Sequence, residues 1–403
     1  MSKQLYAIML IPSYIGSTGD AVNERQIVWH LCRKLHEKEH VKCIVFAQIG
    51  ISELIKFNKK AEEVLERPLN TILVFLPLLK MPLLLYLIVS SLVSFSLALM
   101  VQLFSLIGSE VRMIYVRGSW NAVGFTFFKK TRQKLISKIP AIIEDEVSNS
   151  SISKFFIGKI ASFMDRAVLA KAKKIAVNSR TFYNGLIRRR SLPRNDEPLI
   201  IPAGVDLSFI EKVKMQINRS PLKNTVDVGF IGSLSWWQGV DVLVRAIALL
   251  KGKIPNLRFV VIGGGELRRQ IEELCKSLDI PYEITGFIPH EEALKRLGML
   301  DVMILPSRRF STTELNIPIK VVEAWALGVP VIVTKHRVFL DHQIKNYEDV
   351  IYCEPEPNSV ANAIFTLLTN NELKETLKTN GPKLARRFDY DKIAERILRA
   401  IID

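Results

Sequence analysis

Short apolar runs alternate with amphipathic stretches along nearly the whole chain. Leu5 to Ile11 reads as a buried strand, Pro12 to Asp20 as a loop carrying Gly16 and Gly19, and Ala21 through Glu37 as a helix. Val41 to Ala47, Thr71 to Leu76 and Val111 to Val116 are strand-like. Val123 to Leu135 reads as a helix, and Ala141 to Ile143 as a short strand ending at Glu144, Asp145 and Glu146. Ile160 to Ala172 and Thr181 to Arg189 are helical, with Lys174 to Val177 extended between them. Apolar strands separated by helices predict a parallel α/β domain covered on both faces.

The polar stretch from Ser208 through Thr225 marks a hinge, and the alternation then starts again. Val226 to Phe230 enters Gly232, and Val240 to Leu250 is a helix. Phe259 to Ile262 enters a run of three glycines, Val302 to Leu305 ends at Pro306, and the Ile319 to Ala326 helix stops at Gly328 before VPVIV. The pattern predicts two domains, residues 1–208 and 209–385. A terminal segment, 386–403, carries an amphipathic helix with Ile393, Ile397 and Ile401 on one stripe.

Leu83 to Ile107 interrupts this pattern with 25 residues that carry no charge. As a helix it is about 37 Å long, enough to cross a bilayer. Strand-like segments flank it, however, and a full crossing would separate strands of one sheet. Ser91, Ser94, Ala98, Gln102 and Ser105 recur at helical spacing, opposite Leu92, Phe95, Leu99 and Phe104. This predicts small residues against the protein and a bulky face toward lipid. A buried helix and a true span stay open.

Charge points the same way. The chain carries a formal net charge of +16, and residues 1–200 hold 29 basic against 15 acidic side chains. Clusters at Lys129 to Lys138, Lys171 to Arg180 and Arg188 to Arg190 suit an anionic leaflet or a lipid-linked phosphate. No zinc-finger spacing or RNP-like strand supports nucleic acid. Cys32, Cys43, Cys275 and Cys353 are scattered, which suits buried thiols in a reducing compartment. No secretory signal is expected, because Ile8 to Ile11 is too short and Pro12 ends it.

The densest chemical signal is PSRRFSTTELNIPIKVVEAWALGVPVIVT, Pro306 to Thr334. A strand ends, a polar loop follows, and Pro318 opens a helix whose Lys320 and Glu323 share a face. Ligands of open α/β sheets collect beyond the strands' carboxyl ends. There Lys320 favours phosphate and Glu323 accepts from sugar hydroxyls, or the two form a surface salt bridge.

IGSLSWWQGVDVLVRA, VVIGGGELRRQIEEL, GFIPHEEALKRLGMLDVMILPS and PIKVVEAWALGVPVI occur in that order. Together with IIPAGVDLSF before them and FDYDKIAERIL after them, they resemble glycosyltransferase family 4 over nearly the whole chain. The resemblance implies an α/β GT-B fold, two Rossmann-like domains facing a deep interdomain cleft, with the terminal helix returning toward the first. It implies a retaining hexosyltransferase with no tightly bound cofactor and a UDP- or GDP-sugar as donor. No DxD-like metal site stands out, Asp145 and Asp206 being separate acids, so a metal-independent reaction is expected. Glu323 matches the second glutamate of the family's paired-glutamate motif and is expected at the ribose. The first glutamate's place is Leu315, flanked by Glu314 and Asn316, either of which is expected to face donor sugar or phosphate. Gly16 matches the glycine loop near donor phosphate and acceptor, and Asp145 a polar active-site position.

Gly232, Ser233, Trp237, Gln238 and Gly239 correspond to the family's first loop of the second domain. Two basic residues common in that loop are replaced here by Ser233 and Gln238. Arg308, Arg309 and Lys320 are the available substitutes. The membrane-side features imply a polyprenyl-phosphate-linked glycan or glycolipid as acceptor, and a peripheral or monotopic place on the cytoplasmic side of the cell membrane. A non-catalytic nucleotide-sugar scaffold, a cytosolic polysaccharide synthase and a sugar-phosphate synthase or phosphorylase are the alternatives.

Overall fold

The computed structural model describes residues 4–12, 19–50, 71–78, 83–106, 108–141, 151–192, 196–217 and 224–402. It divides into two units, Met1–Pro202 with Tyr390–Asp403, and Ala203–Asp389. Gly16 and Asp145 lie outside the described residues.

In the first unit, β1 (Leu5–Pro12), β2 (Lys42–Gly50), β3 (Thr71–Leu78), β4 (Glu110–Arg117), β5 (Leu135–Lys138), β6 (Lys174–Val177) and β7 (Leu199–Ile200) form one sheet. Its order is β3-β2-β1-β4-β5-β6-β7, and every pairing is parallel. A parallel sheet is covered on both faces, which explains why consecutive residues Ala7, Ile8, Met9 and Leu10 are all buried. Helix α1 (Gly19–Glu39) covers part of one face with the terminal helix Tyr390–Ile402. Tyr390 Oη donates to Asn23 Oδ1 at 3.2 Å, and Ile393 and Ile397 are buried in the same cluster. All four cysteines are buried and none is in a disulfide.

One sequence expectation fails here. Val123 to Leu135 is not a continuous helix: Val123–Thr126 is a 3-10 turn, Lys129–Arg132 a single α turn, and Leu135 already begins β5. Thr131 Oγ1 donates to Phe125 O and Phe128 O at 2.6 and 3.0 Å, holding the chain in a folded-back loop. The strand is then Leu135–Lys138, rather than one starting at Ala141, which forms a bend; Ile142 and Ile143 lie outside the described residues. The sequence disguises β5 because its two polar residues, Ser137 and Lys138, are also buried.

Helix α2 (Leu83–Leu106) links β3 to β4. Its inner face presents Leu87, Ser90, Ser94, Leu97, Ala98 and Val101, all buried. Small residues let the backbones approach: the Gly124 amide donates to Ser94 Oγ at 3.0 Å, and Ser91 Oγ donates to Trp120 O at 3.2 Å. A third helix, α3 (Ser151–Lys171), packs beside it, with Met164 Sδ 3.8 Å from Ser91 Oγ.

In the second unit, β8 (Val226–Ile231), β9 (Leu257–Ile262), β10 (Tyr282–Ile284), β11 (Val302–Leu305), β12 (Val331–Thr334) and β13 (Ile351–Cys353) form a parallel sheet ordered β10-β9-β8-β11-β12-β13. Both sheets reverse direction beside their first strand. In the second unit the strand order reverses between β8 and β11, and the loops leaving those strands meet at the position where such sheets bind ligands.

Candidate functional site

The β8 loop runs Gly232 to Gly239 and enters helix α4 (Val240–Ala248); the β11 loop runs Pro306 to Pro318 and enters helix α5 (Ile319–Leu327). Glycines allow the two loops to touch. Gly232 has φ 130° and Gly239 φ 67°, and a Cβ on Gly239 would stand 2.0 Å from the Pro306 carbonyl oxygen. The Arg308 amide closes the junction by donating to Trp237 O at 2.9 Å.

Lys320, in the first turn of α5, fills the space this creates. Its Nζ donates to Gln238 Oε1 at 3.0 Å and lies 4.5 Å from the centre of the Phe230 ring. A Cβ on Gly232 would fall 2.6 Å from that ammonium. Enclosure pushes the Lys320 pKa down to about 7, with Glu323 partly opposing the shift. The result is an amine at a switch point, already shielded from water, that takes up a proton readily beside an anion and is held next to backbone with no side chain in the way.

Glu323 sits one turn further along α5 and is buried. Its Oε1 lies 2.6 Å from Nε2 of His290, at the start of the helix His290–Gly298. Phe209 stacks on the His290 ring at 6.1 Å. Lys320, Glu323, Gln238 and Gly232 are therefore brought together.

The other expected residues are placed differently. Arg308 makes a two-pronged ion pair with Asp241, at 3.0 and 2.7 Å, and its guanidinium lies 5.2 Å from the Trp236 ring. Arg309 is paired with Glu354 at 2.7 Å. Both charges are thus already matched by carboxylates, whereas Lys320 faces a neutral amide. Ser233 and Trp237 are exposed at the loop surface. Asn316 is half-buried in extended backbone just before Pro318.

Glu314 turns toward the β12 loop. Its Oε1 lies 3.2 Å from His336 Nδ1, and its Oε2 accepts from the Arg337 amide at 2.9 Å. His336 Nε2 in turn lies 2.8 Å from Ser307 Oγ. Burial alone would raise the Glu314 pKa, but the Arg337 amide and His336 hold it below the ordinary value; burial lowers that of His336. The structure ties Glu314 to this buried chain.

Three contributors escaped the sequence reading: Phe230 beneath the ammonium, His290 over Glu323, and the Ser307–His336 pair. Of these only His290 had an available signal, a histidine opening a helix just past a strand's carboxyl end. Among the described residues, no three His, Cys, Asp or Glu side chains gather as metal ligands.

This arrangement belongs to a two-unit α/β protein with the GT-B fold. The structure of Anabaena Alr3699/HepE in complex with UDP and glucose matches with a TM-score of 0.66, 15% identity, and 98% of each chain covered. Residues 213–384 match the family described as Glycosyl transferases group 1. The uncharacterized glycosyltransferase MJ1607 of Methanocaldococcus jannaschii is 25% identical over 47% of this chain and 48% of its own length. The putative colanic acid biosynthesis glycosyltransferase WcaL of Escherichia coli is 24% identical over 52% of each. The chain thus spans about half the length of the curated relatives it matches. Together these likenesses show the GT-B fold and a second unit that resembles glycosyltransferases.

Proposed function

We propose that the protein is a retaining glycosyltransferase resembling family 4, moving a hexosyl group from a nucleoside-diphosphate sugar to an acceptor hydroxyl. The observation that carries this reading is Lys320, a cation enclosed between Gly232, Gln238 and Phe230 at the sheet's switch point, with Glu323 one turn away. In this assignment Glu323 receives the ribose hydroxyls, and Gly232 and Ser233 offer backbone close to the diphosphate. Asn316 is assigned to the donor sugar.

The bond from the anomeric carbon to the diphosphate oxygen breaks as the bond to the acceptor oxygen forms on the same face. The acceptor proton passes to the departing diphosphate, so no side chain need act as nucleophile. Lys320 stabilises the charge that grows on the leaving group, the step at which preorganised donors contribute most. Our reading takes Lys320 as the source of the positive charge that Ser233 and Gln238 lack, and turnover is what separates it from a non-catalytic scaffold.

For the acceptor we propose a polyprenyl-phosphate-linked glycan or a glycolipid at the cytoplasmic face of the cell membrane. The apolar outer face of α2 and the basic excess of residues 1–200 support this. The test is transfer from separately labelled UDP- and GDP-sugars to extracted membrane lipids, with linkage analysis of the product. Donor-dependent glycolipid with a retained anomeric configuration is expected. An inverted product, or donor binding without turnover across the lipid panel, would reject the reading.

A further inference from the structure

The outer face of α2 is a continuous apolar stripe. Leu85, Ile88, Leu92, Phe95, Leu99, Leu103 and Leu106 follow one another at three- and four-residue spacing, and all are exposed, Leu92 at 62% and Leu103 at 60%. An edge-on contact extends the stripe off the helix, from Phe95 to the exposed Phe127 ring at 5.5 Å. Lys171 Nζ lies 6.0 Å from the centre of that ring, and the exposed Lys129 and Lys130 follow Phe127 in the chain. No acidic residue occurs in α2 or in 118–138, and the one acid of α3, Asp165, is buried against Arg190 at 2.6 Å. The stripe therefore has a cationic border with no exposed carboxylate among the described residues that form it.

The opposite face of α2 is fixed to the protein. Gly124 approaches so closely that a Cβ there would lie 2.1 Å from the Phe95 backbone nitrogen. The strands entering and leaving the helix, β3 and β4, belong to one sheet. Only a third of the most apolar window of this helix is buried within the protein. Unlike a free amphipathic helix, α2 carries no charge of its own. The protein body covers its inner side, and the basic margin comes from neighbouring segments, which leaves the exposed apolar side to face a membrane surface.

We infer that α2 seats the first unit on an anionic bilayer in the plane of the membrane, with the stripe from Leu85 to Leu106 and Phe127 among the acyl chains. Lys129, Lys130 and Lys171 meet the headgroups. This seating rests on the lipid-side acceptor proposed above, but vesicle binding is measured without donor or acceptor. Failure of one is thereby distinguishable from failure of the other.

The experiment is flotation of the full chain with phosphatidylcholine vesicles, with and without phosphatidylglycerol. Binding is expected to require the anionic lipid and to weaken with salt. Lys129→Gln, Lys130→Gln and Lys171→Gln should each lower affinity about fivefold. Leu92→Gln with Leu99→Gln and Leu103→Gln should lower it by at least about tenfold, with the melting temperature retained because these side chains face outward. Equal flotation of this variant and the parent overturns the inference. So does a dimer formed without vesicles and lost in the leucine variant, which would give the stripe to a second copy. Orientation is read from Ser96→Cys, an exposed mid-helix position in a chain whose own cysteines are buried. A fluorophore there should be quenched best by lipids brominated near the headgroup, and quenching strongest at the bilayer centre overturns the in-plane seating.

Discussion

The ammonium of Lys320 lies 3.0 Å from the amide oxygen of Gln238, joining the helix after β11 to the loop after β8. By its resemblance to family 4, the chain carries Gln238 where a lysine is common in that family. Lys320 brings a positive charge to within 3.0 Å of Gln238 from a different element. This leads to a charge-swap prediction. Lys320→Met is expected to lower kcat/KM by about 10²–10³, the range for removing one preorganised donor from a developing anion. Lys320→Gln combined with Gln238→Lys should recover part of that loss, measured as initial transfer rates at saturating acceptor. A double variant no better than Lys320→Met would show that the charge alone is not what matters.

The same lysine sets a pH dependence. Its pKa is lowered to about 7, so above neutrality it is largely uncharged in the free protein. A diphosphate binds the charged form and must draw a proton in with it. Donor affinity is expected to be nearly flat below about pH 7 and to fall toward tenfold per pH unit above it. Stability runs the other way. Because the unfolded lysine keeps its proton to about 10.5, the unfolded state binds more protons between 7 and 10.5, and folding strengthens with pH over that window. Calorimetric titration with donor at several pH values, beside Lys320→Met, checks the binding arm. The variant's affinity should be insensitive to pH in this range.

Glu323 is expected to act on binding more than on chemistry. Glu323→Ala removes an acceptor assigned to the ribose and leaves His290, whose side chain is half-exposed and hydrates readily. The donor KM should rise about 10–100-fold, the size of one or two hydrogen bonds to a charged group, with kcat changed far less. Steady-state kinetics and a melting curve suffice. An equal fall in kcat and kcat/KM would move Glu323 from ribose recognition into the transition state.

Much of this was legible from sequence, and the exceptions have physical causes. Strands such as Leu5 to Ile11 and Val302 to Leu305 announce themselves because both faces of a parallel strand are apolar. The inward turn of Ser94 and Ala98 was readable from helical spacing. β5 was not, because Lys138 is an interior residue only in the presence of Glu24, 114 positions earlier. The choice among Arg308, Arg309 and Lys320 was equally hidden. It depends on Asp241 and Glu354, whose proximity follows from loop packing with no local pattern. Glu314 was placed by resemblance near the donor, yet His336 and the Arg337 amide claim its carboxylate from 22 and 23 residues away.

That last arrangement makes Glu314 a stability residue with a signed pH signature. Its carboxylate is held below the ordinary pKa, so its contribution is present at neutral pH and lost as pH falls through the folded-state value, below 4.5. Glu314→Gln should destabilise by about 1–3 kcal/mol near pH 7, or several degrees in Tm. The difference from the parent should shrink in acid. Melting curves across pH 3 to 8 decide the matter, and a gap that persists unchanged in acid would contradict the role.

Glu24 and Lys138 offer a stronger case. Lys138 Nζ donates to Glu24 Oε2 at 3.0 Å, Tyr115 Oη donates to Oε1 at 2.7 Å, and all three residues are buried. Burial alone would raise the Glu24 pKa, but Lys138 and Arg117 together with the Tyr115 hydroxyl bring it below the ordinary value. Removing one partner strands a buried charge, so Glu24→Gln should cost about 3–5 kcal/mol. Replacing both, as Glu24→Gln with Lys138→Met, should cost less than either change by itself. Denaturant unfolding of the four proteins completes the cycle, and strict additivity would show that the two groups do not support one another.

The contact between α2 and Gly124 gives the sharpest steric test. A Cβ at position 124 would meet the Phe95 nitrogen at 2.1 Å and the Ser94 carbonyl carbon at 2.4 Å, and backbone cannot step aside as a flexible side chain would. The φ of Gly124 is not in the left-handed region, so a loss on substitution reflects space alone. Gly124→Ala should therefore push α2 outward, break the amide bond to Ser94 Oγ and destabilise the first unit by about 1–3 kcal/mol. Ser94→Ala removes the hydrogen bond without adding volume and should cost less. Hydrogen exchange would show the effect as faster exchange along α2, with the second unit unchanged. Protection in Gly124→Ala equal to that of the parent would mean that the helix is held by its apolar inner face alone, and that the small-residue contact is incidental.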